Sequence, residues 1–374
     1  MAGIYIHIPF CKHKCTYCDF HFSTTFEEYR QEMIDSICQE IELRHEYLAG
    51  KEIKTIYFGG GTPSILLESE LKQIIKTIST QFEINSRAEV TFEANPDDIN
   101  EEALILWKSV GVNRLSIGLQ SFKQSDLDWM NRAHNVEESL NCVQLAQKHG
   151  FDNLTVDLMY GLPDLNMSEW SNHIQKVIDM GVPHISAYCL TIEEKTALSN
   201  WVNRGKISTP NEDVQSDQFM MLLETLESNG FEQYEISNFS SPGHESKHNS
   251  NYWKGEWYLG VGPSAHSFNG TSRSWNITNN QKYIRAVKVK SEIFETEFLS
   301  KLDQFNERIL IGLRTIYGVK RTELNDILPI SSGFESVLRG FKGKGWIQEK
   351  GNVLTLTKEG KLRADFIASE LFID

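Results

Sequence analysis

The chain begins with a short apolar run that leads directly into a loop with three cysteines, Ile4-Tyr5-Ile6-His7-Ile8-Pro9-Phe10-Cys11-Lys12-His13-Lys14-Cys15-Thr16-Tyr17-Cys18-Asp19-Phe20. The run Ile4–Ile8 predicts a β-strand, and the spacing C-x3-C-x2-C puts three thiols on one short loop. A structural zinc site takes four ligands, and a cubane iron–sulfur cluster has four iron corners. Three cysteines leave one iron open, which favours a [4Fe–4S] cluster that binds an exchangeable ligand.

Two alternatives remain open for this loop. His7, His13 or His21 could complete a zinc site, or the three cysteines could stay reduced without a metal. The other cysteines, Cys38, Cys142 and Cys189, stand singly in segments that are predicted to be helix or strand. Buried packing is the expectation for all three.

The composition excludes several classes of protein. The chain has 374 residues, of which 40% are hydrophobic, and a net charge of −14, which argues against broad electrostatic binding to nucleic acid. No stretch approaches the ~20 apolar residues that cross a bilayer, and the first residues lack the basic region and apolar core of a signal peptide. Clustered rather than paired cysteines indicate a reducing compartment. We therefore expect a cytoplasmic protein.

The first half of the chain alternates strand patterns with amphipathic helix patterns. The predicted strands are Ile4–Ile8, Ile53–Phe58, Ala88–Glu93, Arg114–Leu119, Leu154–Met159 and His184–Leu190. The predicted helices are Glu27–Leu48, Glu68–Gln81, Asn100–Val110, Ser139–Gly150 and Met167–Met180. This alternation predicts an α/β fold in which a parallel sheet has helices outside.

The position of polar residues favours a partial barrel. Residues 59–62 (Gly-Gly-Gly-Thr), Glu93, Gln120 and Asp157 fall at or just beyond the carboxyl ends of predicted strands. Barrel enzymes assemble their sites at those strand ends. A Rossmann fold would carry G-x-G-x-x-G after the first strand, where this chain has the cysteine loop. We predict a partial (β/α)6 barrel of the TIM type.

The alternation ends near residue 200. Segments 230–250 and 269–280 are rich in Gly, Ser and Asn and are predicted to be loops, and residues 301–374 carry helices and a short hairpin that resemble a winged-helix module. The prediction is a barrel over residues 1–235, a connecting region over 236–300 and a smaller α+β, winged-helix-like C-terminal domain over 301–374.

Five further blocks, in order, identify a family resemblance. They are residues 6–11 (IHIPFC), 57–64 (YFGGGTPS), 92–96 (FEANP), 114–122 (RLSIGLQSF) and 157–163 (DLMYGLP). With the cysteine loop, they make the chain similar to the radical S-adenosylmethionine superfamily and, within it, to the coproporphyrinogen III dehydrogenase group. The resemblance covers nearly the whole chain.

The resemblance implies cofactors and site residues. Cys11, Cys15 and Cys18 would hold a [4Fe–4S] cluster whose open iron chelates the amino and carboxylate groups of S-adenosylmethionine. The positions that match those lining S-adenosylmethionine are Tyr5, Tyr17, Gly60, Gly61, Thr62, Glu93, Gln120, Arg132 and Asp157. Among them, Glu93 would accept from the amino group and Arg132 would pair with the carboxylate.

Two departures separate the chain from the oxidases of that group. Those oxidases resemble this loop but carry one further cysteine at the position of Phe20. They also have an N-terminal extension, whereas three residues precede Ile4 in this chain. His248-Asn249-Ser250-Asn251-Tyr252-Trp253 instead matches the H-N-x-x-Y-W block of the related heme chaperones. That resemblance implies that His248 contacts heme, histidine being a common axial ligand. The alternative is a hydrogen-bonded His248 at a domain junction, with Trp253 in the core.

Three functions follow from these observations. The first is a heme chaperone that binds heme and transfers it to an acceptor, such as a respiratory or membrane-associated protein, with the cluster and S-adenosylmethionine regulating transfer or formation of a homodimer. The second is a radical oxidoreductase, the coproporphyrinogen III dehydrogenase. The third is a nucleic-acid regulator, suggested by seven basic against two acidic residues over 339–363. The net negative charge of the whole chain argues against it. The heme chaperone is preferred.

Overall fold

Six parallel strands from the first half of the chain form the centre of the structure, a computed structural model that describes residues 2–373. The strands are β1 (Ala2–Ile8), β2 (Ile53–Gly60), β3 (Ile84–Ala94), β4 (Arg114–Gln120), β5 (Leu154–Tyr160) and β6 (His184–Cys189). They pair in chain order, each parallel to the next. All six predicted strands, and the predicted partial barrel, are confirmed.

Helices connect these strands and cover the outside of the sheet. They are α1 (Arg30–Leu43), α2 (Glu68–Gln81), α3 (Glu101–Ser109), α4 (Gln124–Met130), α5 (Val136–Lys148), α6 (Met167–Asp179), α7 (Ala197–Asn203) and α8 (Glu212–Ser228). Short 3-10 turns occupy Glu27–Tyr29, His45–Leu48, Pro63–Ile65 and Pro96–Asp98. The strands are almost wholly buried because helices pack on them, which explains their continuous apolar runs.

Capping residues explain where several helices begin. Asn166 precedes α6, and its side-chain oxygen accepts a hydrogen bond from the backbone N–H of Glu169 at 3.0 Å. The Glu169 carboxylate in turn accepts from the Asn166 N–H at 3.1 Å. This reciprocal capping box satisfies two donors that the first turn leaves free. Asn135 and Glu138 make the same pair at the start of α5.

The sheet extends beyond the six parallel strands on both sides. One edge carries β7 (Glu232–Glu235) and β8 (Asn238–Ser240), of which β8 runs antiparallel to β6. The other edge carries β9 (Trp257–Val261), β10 (His266–Phe268), β11 (Ser272–Asn276) and β12 (Phe294–Phe298), of which β9 runs parallel to β1. Helices α9 (Lys247–Lys254) and α10 (Asn280–Lys288) lie between these strands. Over residues 2–373 the main sheet therefore has twelve strands.

The prediction of loops over 230–250 and 269–280 is thus wrong in part, since β7, β8, β11 and the first residues of α9 lie there. The reason is that the polar side chains of this region are buried and bonded. Glu40 on α1 accepts a hydrogen bond from the Asn276 side chain. Arg44, the residue after α1, pairs with Glu40 and donates to Asn276 and to Ser274, both at 3.2 Å. Composition alone cannot distinguish such a buried polar network from a solvated loop.

The C-terminal residues form a smaller unit with its own apolar core. Its elements are α11 (Lys301–Leu313), β13 (Val319–Lys320), α12 (Arg321–Ile327), α13 (Ser332–Gly343), β14 (Ile347–Lys350), β15 (Val353–Leu356), α14 (Lys358–Lys361) and α15 (Ala364–Glu370). The three strands form an antiparallel sheet in the order β13-β15-β14, as the predicted α+β module requires. The residue boundaries 235 and 300 stay a prediction.

Two backbone hydrogen bonds attach this unit to the barrel. The N–H of Ile236 donates to the carbonyl of Arg314 at 3.0 Å, and the N–H of Ile316 donates to the carbonyl of Tyr234 at 3.1 Å. The C-terminal unit therefore sits at the β6–β8 side of the barrel. Within residues 2–373, no helix combines the length and the apolar character that crossing a bilayer requires.

Candidate functional site

The cysteine loop follows β1 and is fixed by bonds to its neighbours. The N–H of Cys11 donates to the carbonyl of Ser23 at 3.1 Å, and the N–H of Thr16 donates to the carbonyl of Met130 at 3.1 Å. Lys12 forms an ion pair with Asp97 at 2.8 Å and a second one with Asp98. The loop is therefore held from three sides, and its thiols keep their positions.

The three thiols face a cavity of about 1100 Å³ at the carboxyl ends of the parallel strands. This cavity collects most of the predicted site residues, namely Cys11, Cys15, Cys18, Tyr17, Gly60, Gly61, Thr62, Glu93, Gln120, Arg132 and Asp157. They come from the cysteine loop, from the ends of β2, β3, β4 and β5, and from the segment after α4. The structure thus brings eleven of the thirteen predicted residues together.

The chemistry of the thiols fits a metal cluster. Burial raises the pKa of the Cys11 thiol to about 11 and that of Cys18 to about 12. Thiolates would therefore be unfavourable here unless a positive charge lay beside them. Thr62 donates a hydrogen bond to the Cys11 sulfur at 3.3 Å, and Arg132 donates to the Cys15 sulfur at 3.6 Å. A metal supplies the larger compensation, since coordination deprotonates a thiol.

Two of the three histidines that could complete a zinc site, His7 and His21, have hydrogen-bond partners in the structure. His7 Nε2 lies 2.7 Å from the carbonyl oxygen of His21, and His7 Nδ1 lies 3.2 Å from the Tyr5 hydroxyl. His21 Nε2 lies 2.7 Å from the Asn280 side-chain oxygen. Between residues 2 and 373, no three His, Cys, Asp or Glu side chains are placed to hold a single metal ion.

The glycines after β2 leave room that a side chain would fill. Gly60 has φ +102°, and a Cβ there would lie 2.4 Å from His7 Nδ1. A Cβ on Gly61 would lie 2.5 Å from the carbonyl oxygen of Phe10. The chain can therefore turn toward the cysteine loop only with glycine at both positions. The Thr62 N–H then donates to the Phe10 carbonyl at 2.7 Å.

Two carboxylates line the cavity beside the thiols. Burial raises the pKa of Glu93 to about 7, although the Tyr57 hydroxyl donates to Glu93 Oε1 at 2.7 Å and opposes that rise. Burial likewise raises the pKa of Asp157 to about 6, opposed by hydrogen bonds from Ser186 and Ser116. Both groups are acceptors in a site with restricted access to water. They are suited to the amino and hydroxyl groups of a polar ligand.

Arg132 provides the positive charge of the site. One of its terminal nitrogens donates to the Asn95 side chain at 2.8 Å and to the carbonyl of Gly118 at 2.9 Å, which fixes the guanidinium plane. Its Nε is buried and has no hydrogen-bond partner in the described part of the chain. A donor left unpaired beside the cavity indicates a ligand acceptor. Gln120, at the same edge of the sheet, has a backbone φ of +67°, which residues other than glycine rarely adopt.

His248 and Tyr5 are the two predicted residues that do not line the cavity. His248 is 1% exposed, its Nδ1 lies 2.8 Å from the Thr55 hydroxyl, and its Nε2 lies 2.8 Å from the Tyr252 hydroxyl. Its ring packs 5.1 Å from the Tyr57 ring, whose hydroxyl reaches Glu93. As placed here, His248 offers no free nitrogen to heme iron. This arrangement matches the alternative of a hydrogen-bonded core position.

The structure adds residues that the sequence did not single out. Asn95 and Ser116 lie in the quoted blocks 92–96 and 114–122, so the blocks carried a signal for them. Tyr188, Arg314, Lys361 and Phe366 also line the cavity. Lys361 belongs to the basic segment 339–363, but no local pattern assigns any of the four to this cavity, because they come from β6 and from the C-terminal unit and meet only in the folded chain.

Comparisons with known proteins agree on the family. The model of the Radical SAM superfamily matches residues 5–177. The chain is 34% identical over 374 residues to the heme chaperone HemW of Bacillus subtilis (strain 168), covering 97% of each chain. It is 34% identical over 269 residues to the heme chaperone HemW of Escherichia coli (strain K12), covering 71% of this chain and 69% of the relative.

A solved structure shares the fold over nearly the whole chain. It is the coproporphyrinogen III oxidase HemN from Escherichia coli, described as a radical SAM enzyme. The TM-score is 0.86, with 20% identity and coverage of 99% of this chain and 90% of that chain. At this identity the likeness concerns the fold alone.

Proposed function

Because the chain belongs to the radical S-adenosylmethionine superfamily and, within it, to the family of HemW heme chaperones, we propose that it binds heme and transfers it to an acceptor protein. The observation that carries this proposal is the 34% identity to the Bacillus subtilis HemW across 97% of both chains. Phe20 supports it, because this residue stands where the oxidases carry a further cysteine and is 68% exposed.

The cavity residues would hold two cofactors. A [4Fe–4S] cluster on Cys11, Cys15 and Cys18 would supply one open iron for S-adenosylmethionine and a source of an electron. The unpaired Arg132 Nε would donate to the carboxylate of S-adenosylmethionine, and Glu93 would accept from its amino group. Asp157 and Gln120 would bind the ribose hydroxyls, and Tyr17 would cover the adenine. Gly60, Gly61 and Thr62 would let the backbone approach the ligand.

The sequence predicts a heme contact at His248, whereas the hydrogen bonds of its ring favour the alternative of a core position. With both ring nitrogens hydrogen-bonded inside the barrel, His248 would have to leave Thr55 and Tyr252 before it could reach heme iron. We therefore place the heme contact of this chain elsewhere than on the His248 ring as it lies here. Transfer to a respiratory or membrane-associated acceptor, a cytoplasmic location and a homodimer stay predictions.

Coproporphyrinogen III dehydrogenation is the second candidate function, because the chain shares the fold of the Escherichia coli HemN over 99% of its length. In that case a porphyrinogen would be the substrate, and S-adenosylmethionine would be consumed during turnover. The cavity of about 1100 Å³ is large enough for either tetrapyrrole, so its volume does not decide between the two functions.

Heme retention and heme transfer test the proposal. Protein with its cluster rebuilt anaerobically is incubated with heme and passed through gel filtration, and the heme absorption band is followed in the protein fraction. An apo-hemoprotein is then added, with and without S-adenosylmethionine, and its heme spectrum is recorded. We expect retained heme that passes to the acceptor. Absence of a heme band contradicts the proposal, and vinyl products from coproporphyrinogen III under anaerobic reduction would establish the dehydrogenase instead.

A further inference from the structure

The C-terminal unit forms one wall of the cofactor cavity. Arg314 follows α11, Lys361 is the last residue of α14, and Phe366 lies on α15. All three line the same cavity as the cysteine loop. The wall therefore adds side chains from the C-terminal unit to the cavity that holds the residues assigned to S-adenosylmethionine.

Lys361 is a half-buried cation without an acidic partner. Its Nζ donates to the side-chain oxygen of Gln233 at 2.5 Å, and no carboxylate in residues 2–373 forms an ion pair with it. Burial lowers the pKa of Lys361, and the charge of Glu227 opposes that shift only in part. By contrast Lys358, one turn earlier and more exposed, pairs with Glu227 at 2.5 Å. A half-buried cation in a cavity wall, with no carboxylate at ion-pair distance among the described residues, is suited to an incoming anion.

Arg314 lies on the same wall and pairs with two carboxylates, one buried and one exposed. Glu235, 2% exposed, lies 3.2 Å from an Arg314 terminal nitrogen and also accepts from the backbone of Ser237 and the side chain of Asn238. Asp365 lies 2.7 Å from the other terminal nitrogen and is 76% exposed. A ligand carboxylate can therefore replace Asp365 while Glu235 keeps the guanidinium in place.

The two cations are anchored to the same short strand. Lys361 contacts Gln233 and Arg314 contacts Glu235, both on β7, so the two cations lie at neighbouring places on the wall. Beside them the cavity has exposed aromatic faces, from Tyr188 at 42% and from Phe366 at 51%. Glu212 and Asp365 also line the cavity, so the charge of this wall is not wholly positive.

The cavity also has room for a second ligand. Its volume of about 1100 Å³ exceeds the ~300–1000 Å³ of a usual small-molecule site. A nucleotide such as S-adenosylmethionine, held by Arg132, Glu93 and Asp157, would occupy only the side next to the cysteines. The wall of Lys361, Arg314, Tyr188 and Phe366 then remains available to a large, flat, apolar molecule with acidic groups.

We propose that Lys361 and Arg314 bind the propionate carboxylates of a tetrapyrrole whose ring lies against Tyr188 and Phe366. This inference rests on the proposed function, because it names the surface on which a heme chaperone of this fold would hold its ligand. It assigns recognition to carboxylates and leaves the iron atom out, so a metal-free porphyrin binds to the same wall. Asp365 moves away from Arg314 when the ligand binds.

Binding of protoporphyrin IX and of its dimethyl ester to the full-length, cluster-containing protein tests this proposal. The porphyrin absorbance is titrated with wild type, Lys361→Met, Lys361→Arg and Lys358→Met. Lys358 is the matched control, since it carries the same charge on the same helix but pairs with Glu227 outside the cavity lining. Affinity of S-adenosylmethionine is measured in parallel on each protein.

We expect Lys361→Met to weaken binding of the free acid about tenfold and to leave the ester unchanged, while Lys361→Arg restores most of the affinity. Lys358→Met and the affinity for S-adenosylmethionine should not change. Equal loss for acid and ester, equal effects of the two methionine variants, or a loss confined to S-adenosylmethionine would each overturn the inference and leave the proposed function standing. If wild type binds neither heme nor porphyrin, the proposed function itself fails.

Discussion

Replacing His248 by alanine would remove a buried ring that links several residues of the barrel by hydrogen bonds and packing. The ring nitrogens are hydrogen-bonded to the hydroxyls of Thr55 and Tyr252, and the ring packs against Tyr57. Truncation leaves the Tyr252 hydroxyl buried and without its partner, whereas Thr55 keeps a contact from Asn251 at 3.4 Å. One unsatisfied hydroxyl, the lost bonds and the cavity together cost about 3–4 kcal/mol.

Thermal unfolding measures this cost. The entropy of unfolding of a chain of this length is about 0.8 kcal/mol/K, so His248→Ala should lower the Tm by about 4–5 °C. His248→Gln is the matched variant, because burial lowers the pKa of His248 to about 3 and the ring is therefore neutral at ordinary pH. The glutamine amide can keep one or both hydrogen bonds, so about half of the loss should return.

Heme binding by the same two variants decides what His248 does. If His248 is a core residue, His248→Gln retains heme with an unchanged spectrum. Our placement of His248 would be refuted if His248→Gln kept the wild-type Tm but lost the heme absorption band, since only an iron ligand behaves in that way.

Three further perturbations follow from the cavity. Cys11→Ser should abolish the visible absorbance of the rebuilt cluster, whereas Cys142→Ser, buried in α5 and outside the cavity lining, should leave it unchanged. Glu93→Gln should weaken S-adenosylmethionine binding about tenfold at pH 8, and the difference from wild type should shrink below pH 7, because the raised pKa leaves Glu93 protonated there. The affinities of both proteins for S-adenosylmethionine are measured by calorimetry. A ratio of the two affinities that stays constant with pH would contradict this assignment. Gly60→Ala should prevent ligand binding and lower stability by several kcal/mol, measured by denaturant unfolding, while Gly111→Ala, with φ +93° and nothing within 4 Å, should cost only about 1 kcal/mol.

Much of the site could be predicted from the sequence because its information is local. Apolar runs of five to seven residues predict the parallel strands, and Glu93, Gln120 and Asp157 stand at or near strand ends that meet at one edge. The cysteine spacing favours a cluster, and the five ordered sequence blocks strengthen that prediction. Each of these signals lies within a few residues of the side chain concerned.

The remaining features depend on contacts between distant segments. Asn276 and Ser274 belong to a strand only because Glu40 and Arg44, more than 200 residues earlier, satisfy them. The H-N-x-x-Y-W block gives the residues of α9 but not which way they point, and packing directs His248 toward Thr55 rather than toward the cavity. Lys361 likewise indicates a ligand-binding role only in the folded chain, where its Nζ contacts Gln233.

The central claim is an iron–sulfur cluster with one iron open to S-adenosylmethionine. It is tested most directly by electron paramagnetic resonance of the anaerobically rebuilt, reduced protein, recorded before and after addition of S-adenosylmethionine, with iron and acid-labile sulfide measured on the same sample. We predict about four iron and about four sulfide ions per chain and a spectrum that changes when S-adenosylmethionine is added. Stoichiometric zinc without sulfide, or a cluster spectrum that S-adenosylmethionine leaves unchanged, would contradict the account.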